Sequence, residues 1–377
     1  MSKNKIDWPV TLFLALNPII SFILLFVYLY SEKLNWNILI FALFFAAATN
    51  LSITVGYHRL FAHRSFEVHP IIRGLLLLIG ASAWQGSALK WSADHRIHHS
   101  KIDTDDDPYS IQKGFWYAHI GWLLIKDSTN KNPKAADLEK DWMIRFQHKY
   151  FIPLGILMGF VFPLGIGAML GSWLGGLVIA GGLRIFLTQQ STFFVNSLCH
   201  TLGRQTYSDQ ISARDSFIVA ILTHGEGYHN FHHQFQIDYR NGIKWYQWDP
   251  TKWTIWFLAI LGLAKKLRTI PSQEILKARL AMEAKRMECR GLSQEKLQAL
   301  RDKIITAQVS LRKMKEDYQK LKFDYSHIKG DYERMKSEVA LSTRSKMLQL
   351  KTDMELTKLE FKYALKAWKT YLIFADK

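Results

Sequence analysis

The strongest constraint on the fold is a set of histidine clusters that lie far apart in the chain and make chemical sense only together. HGEGYHNFHH, from His224 to His233, ends in His229, His232 and His233 with the spacing H-x-x-H-H. The same spacing recurs in DHRIHH as His95, His98 and His99, and HRLFAH adds His58 and His63. On a helix, positions i, i+3 and i+4 share a face, so each triplet can aim three imidazoles at one point. Imidazole is the commonest neutral nitrogen ligand for iron, copper and zinc. Eight clustered histidines exceed the four ligands of one structural zinc, which implies two metals. His69, His119, His148 and His327 stand apart from the clusters and read as structural.

The path of the chain must bring these clusters to one place, and the apolar segments say how. A first span runs from about Pro9 to Tyr30 and a second from about Trp36 to Val55, each near the twenty residues that cross a bilayer. The short SEKLN link makes them a hairpin. Lys3 and Lys5 before the hairpin, with Arg59 and Arg64 after it, outweigh Lys33 in the turn, which puts the outer ends in the cytoplasm. The N-terminal apolar run is too long for a signal peptide and lacks a small-residue cleavage site, so it reads as a retained anchor. Ile71 to Leu89 is interrupted by Arg73 and Gln85. If it crossed, the first two histidine clusters would face opposite sides, so it is expected to lie buried or at the interface. The same holds for Gly114 to Leu124. Phe151 to Leu170 and Trp173 to about Val195 form a second hairpin, with Arg184, Gln189 and Gln190 in its last span facing a protein interior. That span ends with Asn196 and His200 four apart on one face. After the last cluster, tryptophans interleave with charges around WDPTKW, the pattern of a membrane-surface helix.

The remainder differs in kind. The mean hydropathy of the whole chain is close to zero because it averages an apolar part, up to about residue 265, with a tail dominated by Lys, Arg and Glu. The net charge of +17 accompanies no nucleic-acid motif; cations flanking apolar spans suit an anionic membrane face. The two cysteines, Cys199 and Cys289, make neither a disulfide framework nor a CxxC pair. From Leu297 to Val339 apolar residues repeat at alternating three and four, a heptad register. Tyr318, Tyr325 and Tyr332 sit in its seam, Gly330 and a phase break near Thr343 offer bends, and a helix that folds back on itself or onto the cytoplasmic face is expected ahead of a dimer. The fold expected is therefore all-α: four transmembrane helices in two hairpins under a cytoplasmic helical cap (1–270), then a coiled-coil-like helical extension (271–377).

HRLFAH, HRIHH, GEGYHNFHH, the DTDDDPYSIQKGFWYAHIGWLL stretch and WDPTKW together resemble the membrane fatty-acyl desaturase family, from about residue 9 to 265. The resemblance implies removal of two hydrogens from a saturated acyl chain, with O2 as oxidant, at a di-iron centre in which zinc can substitute. It implies as ligands His58, His63, His95, His98, His99, His200, His229, His232 and His233, with Asn196 acting through water. Gln85, Trp91 and Thr192 match positions that shape the kinked acyl tunnel, and a Δ9 double bond in a chain of sixteen to eighteen carbons is implied. Ala93, Gln112 and Lys113 depart from the basic pattern of the acyl-CoA enzymes; acyl-CoA is favoured over acyl-lipid or acyl-carrier protein. The single His-Pro pair, His69-Pro70, is followed by Ile71, so electrons are expected from a separate cytochrome b5-, ferredoxin- or rubredoxin-like donor. A related di-iron hydroxylase and a non-catalytic coiled-coil scaffold are the alternatives. His58 and His63 are five apart, which splays them by about 140° on an ideal α-helix, so the second span is expected to end or bend there.

Overall fold

The computed structural model describes residues 5–126, 135–330 and 337–376. Lys3, Tyr332 and Met335, which fall in or beside the patterns above, lie outside these residues, as does the side chain of His327. The described chain is almost wholly helical; its only sheet is a two-residue antiparallel pair, Glu67–Val68 against Ala264–Lys265. It divides into two compact units, Met1–Ile270 and Pro271–Lys377.

In the first unit, α1 (Trp8–Ser31) starts with an Asp7 cap and Pro9 in its first turn. The Tyr28 hydroxyl closes the following turn, donating to Lys33 O and accepting from Asn35 N. Asn35 then caps α2 (Trp36–Ala62) by accepting from Asn37 N. Its amide also donates to Leu170 O at 2.7 Å, which ties this turn to the end of α7 (Phe151–Met169). The three helices α1, α2 and α7 are long and apolar enough to cross a membrane. The fourth expected span, α8, is helical through 173–197, but Arg184, Gln189 and Gln190 give it less apolar character, and it is not among the three. It packs closely on α7, where a Cβ on Gly167 would fall 2.5 Å from Gly176 Cα.

The polar groups of α8 face inward as expected. Arg184 and Gln189 are buried; the Arg184 guanidinium donates to Ser82 O, Thr49 Oγ1 and Ala180 O and lies over the Phe45 ring. A buried charge is tolerable only with such compensation. Between the long helices, α3 (Pro70–Ala81) is capped by His69, whose Nδ1 accepts from Ile71 N. At twelve residues it is about 18 Å long and too short to span. The Trp-rich stretch forms only the short α5 (Phe115–His119) and a following 3-10 turn. Two further short helices, α6 (Trp142–Lys149) and α9 (Phe217–Leu222), are capped by Asp141 and Ser216. α11 (Pro250–Ile260) exposes Trp256, Phe257 and Ile260, as a membrane-surface helix would.

The second span ends where expected, at Ala62, with His63 as its C-cap; what the spacing did not reveal is the form of its last turns. From Ser52 to Ala62 it changes to a π-helix, whose i→i+5 hydrogen bonds bring residues five apart towards one face. The His63 N–H bonds to His58 O at 3.1 Å, and the two ring centres lie 4.8 Å apart. The wider coil does what a break was expected to do.

The second unit has its own core. α12 (Ser272–Glu288), α13 (Gln294–Gly330) and α14 (Ser337–Asp376) bury Leu280, Met287, Leu297, Ile304, Ala364 and Trp368 together. Ile304 lies with Ala364, and Thr357 meets Met314, so α13 and α14 run antiparallel. The tail folds back on itself. The seam residues Ile304 and Ala307 are buried and Leu311, Met314 and Tyr318 partly so.

Candidate metal centre

Four segments deliver the histidines. The π-turn of α2 carries His58, with His63 just beyond it. α4 (Ala88–Lys101), capped by Ser87, carries His95, His98 and His99. His200 ends the 3-10 turn after α8, and α10 (His229–Gln234) carries the last three. Their ring nitrogens fall into two groups, each within 4.8 Å: His58, His63, His95, His99 and His232 in one, and His98, His200, His229 and His233 in the other. Each H-x-x-H-H triplet is thus divided between the groups. All nine expected histidines converge. Asn196 is half-buried on α8, one turn ahead of His200.

The donor set fits metal ions. Glu226 Oε2 sits 3.0 Å from His58 Nδ1, and Asp107 Oδ1 sits 2.9 Å from His98 Nδ1. Ser212 Oγ, which donates to Asp103, lies 2.7 Å from His200 Nδ1. Each acceptor draws the proton to Nδ1 and leaves a lone pair on Nε2. These Nε2 atoms then face other Nε2 atoms. His232 lies 3.0 Å from both His58 and His99; His233 lies 3.3 Å from His98 and 3.0 Å from His229, which is 3.2 Å from His200. In the four-histidine group no assignment of protons satisfies every contact: His98 and His200 both present lone pairs, so along His98–His233–His229–His200 two like atoms must face each other. A cation there resolves the conflict, and the other group gathers five more ring nitrogens in the same way.

Electrostatics agree. Burial, and then the charge of neighbouring imidazoles, holds His63, His95, His99, His229, His232 and His233 well below the ordinary histidine value. Burial and His98 bring His200 down to about 3. These seven rings are therefore held in the neutral form, the one that binds metal. Burial pushes the Glu226 carboxyl up, but His58 and Arg59 outweigh it and hold it at about 2. Arg59 also pairs with Asp249, and Asn241 donates to Glu226, so the carboxylate beside His58 is anchored from three sides.

The three expected tunnel residues also lie close to the centre or to one another. Trp91 stacks on His95 at 5.0 Å. Gln85 Nε2 donates to Thr192 Oγ1 at 2.9 Å, and Gln85 Oε1 is buried without a partner. Of the residues read as structural, His119 is buried between Ser197 and Gln190, and His148 meets Ser87. Sequence reasoning assigned no role to Glu226, Asp107, Tyr109 (3.1 Å from His95 Nδ1), Asp103 or Asp249. Their signal was present in GEG, DTDDDPY and WDPTKW, but nothing in one sequence says which carboxylate reaches which ring.

Fold and site define a helical protein with a buried, all-histidine centre beside apolar helices long enough to cross a membrane. The fatty acid desaturase profile matches residues 34–256, and the chain belongs to that family. It is 44% identical over 257 residues to acyl-CoA desaturase 1 of Saccharomyces cerevisiae, covering 67% of this chain and 50% of that protein. A probable acyl-CoA desaturase of Schizosaccharomyces pombe is 44% identical over 251 residues, 66% of this chain and 52% of that one. The chain therefore spans about half the length of these two relatives. The sn-1 stearoyl-lipid 9-desaturase of Anabaena variabilis is 36% identical over 274 residues, 71% of this chain and 96% of that protein. With its candidate spans and these relatives, the chain is a membrane protein.

Proposed function

We propose that this chain desaturates a saturated fatty-acyl chain with O2 at a histidine-held pair of irons. The observation that carries the reading is the convergence of nine imidazoles into two groups, with lone pairs left facing one another in the four-histidine group. In this reading His58, His63, His95, His99 and His232 hold one iron, and His98, His200, His229 and His233 hold the other, with Asn196 reaching it through a water. Bound there, the iron pair supplies an oxidant able to break an aliphatic C–H bond, which no side-chain acid or base can do. Over a turnover the acyl chain loses two hydrogens from adjacent carbons, and two electrons and two protons complete the reduction of O2 to two waters.

The chain's own residues bind, orient and insulate. Glu226, Asp107 and Ser212 fix the Nδ1 protons of His58, His98 and His200, so each Nε2 lone pair points inward. Trp91 walls the centre beside His95, and the Gln85–Thr192 hydrogen bond joins the segment before α4 to α8. By the resemblance these three residues shape the bend of the acyl tunnel, which would select the Δ9 position in a chain of sixteen to eighteen carbons. The two spanning hairpins, α1–α2 and α7–α8, keep all ligands on the cytoplasmic side, where a separate electron carrier docks.

The names of the yeast relatives favour an acyl-CoA substrate. A second reading, an acyl-lipid substrate, is favoured by the non-basic Ala93 and Gln112 and by the cyanobacterial lipid 9-desaturase, nearly all of whose length this chain covers. Expression in a host lacking desaturase, followed by mass spectrometry of its lipids, tests the proposal. Monounsaturated chains with a Δ9 bond are expected. A hydroxylated main product would hand the assignment to the hydroxylase alternative, and full activity with one metal ion or none would overturn it. Feeding acyl-CoA or acyl-lipid to the purified protein separates the two substrate readings.

A further inference from the structure

The family match stops at residue 256, and the tail beyond it carries an apolar surface that its own core does not use. On α14 one face packs inward, with Ala364 and Trp368 buried. The opposite face shows Leu341, Leu348, Leu356, Leu359, Tyr363 and Phe374 to solvent; Leu341 is 62% exposed, Tyr363 68% and Phe374 70%. At about 100° per residue these six side chains fall within an arc of about 80°. A helix with two apolar faces leaves one for something outside the unit.

Spacing and charge indicate what that is. Leu341, Thr352, Tyr363 and Phe374 recur every eleven residues, as do Leu348, Leu359 and Thr370. A left-handed coiled coil demands a seven-residue repeat, whereas an eleven-residue repeat drifts by only about 20° per repeat and fits either a right-handed supercoil or a flat surface, between which charge decides. Arg344, Lys351, Lys358, Lys362 and Lys369 follow one flank of the stripe. Lys358 also pairs with Glu355 on the exposed side, an interaction of little energetic weight. From Pro271 onward there are twenty-four lysines and arginines against fifteen aspartates and glutamates. Two copies of such a tail repel each other, while an anionic surface attracts them.

We propose that the outer face of α14 lies on an anionic phospholipid surface, with the leucine stripe in the interface and the flanking cations among the headgroups. The spans of the first unit keep a bilayer within reach of the tail, which raises the effective concentration of that surface. The proposal rests on the chain being a membrane protein and not on which reaction it catalyses.

The test uses the full chain in nanodiscs, with Leu348→Cys labelled by a polarity-sensitive dye in a Cys289→Ser background. In phosphatidylcholine discs containing phosphatidylserine, the emission should shift to the blue and be quenched by lipid-borne quenchers. Most of the shift should vanish in pure phosphatidylcholine, and salt of about 1 M, where screening acts within about 3 Å, should weaken it. The triple variant Lys351→Glu, Lys358→Glu and Lys362→Glu should weaken the association by about tenfold or more, with unchanged helicity by circular dichroism. An unshifted label in anionic discs would overturn the proposal. So would a shift that persists in detergent, rises with protein concentration and accompanies cross-links between copies through the introduced thiol, because the face would then join two chains.

Discussion

The two units of this protein bury different things. The first hides polar chemistry: nine imidazoles, Glu226, Asp107 and the Arg59–Asp249 pair lie inside a shell of apolar helices. The second hides only an ordinary core, centred on Leu280, Met287, Ile304 and Trp368, and turns a second apolar face outward. Buried polar groups are costly unless every one has a partner. On the proposed reading the first unit depends on polar partners and on bound metal, whereas the second depends chiefly on packing area. Their responses to mutation and acid should differ accordingly.

The sharpest contrast comes from His232→Ala. Its Nε2 faces both His58 and His99, so its loss opens the five-nitrogen group. Turnover should fall below detection and metal content drop to one ion or fewer per chain by elemental analysis, while the tail's helicity stays. If both metals remain, the assignment of the five-histidine group is wrong.

Acid should separate the units next. The centre's histidines have folded values depressed below about 6.5, so below that pH the unfolded chain binds more protons than the folded one. Metal-free protein should hold its full stability above about pH 7 and lose it as the pH falls. Each ring that stays neutral contributes a slope of about 1 kcal/mol per pH unit. Bound metal should move this transition to lower pH. Thermal unfolding at about pH 7.5 and about pH 5.5, on either side of the ordinary histidine value, with and without chelator, checks both statements. An apo-protein insensitive to pH would contradict them.

Trp368→Ala attacks the other unit. Trp368 is buried and donates to Glu283 Oε2 at 2.6 Å, so the tail should lose about 3–5 kcal/mol. Proteolysis should then cut after residue 270 while metal content is unchanged. Asp107→Asn is a gentler probe of the centre, because it removes only the carboxylate that holds His98 Nδ1. Metal retention against chelator should weaken by about 10–100-fold, with the fold intact by circular dichroism. The smallest effect expected is that of ending the chain at Ile270. Both metals should remain, because all candidate ligands precede the cut; loss of metal would make the tail part of the catalytic fold.

How much of this was legible in advance varies by kind of feature. Eight clustered histidines, the apolar helices α1, α2 and α7, and the short α3 could be read from motif, periodicity and spacing, because these features depend on local chemistry repeated along one element; His200 as a ninth ligand came with the family resemblance, and the tail's fold-back was one of the options its heptads left. The π-helix could not. Its energetic reason lies in His58 and His63 having to meet residues from α4 and α10, and a five-residue spacing alone is equally compatible with a break. The division of each triplet between two groups was likewise hidden, since adjacent histidines, His98–His99 on α4 and His232–His233 on α10, serve different groups.

The sequence by itself determined which atoms could bind metal, which segments prefer lipid to water, and where the apolar character of the chain gives way to charge. These follow from side-chain chemistry and from the fixed 3.6-residue period of the helix. Only the tertiary structure decided that Glu226 serves His58, that Asp107 serves His98, and that the outer face of α14 is left exposed by the described residues of its own unit. A pairing such as Glu226 with His58 joins residues from opposite ends of the first unit. It is settled by how whole helices pack, and a single sequence leaves that packing open.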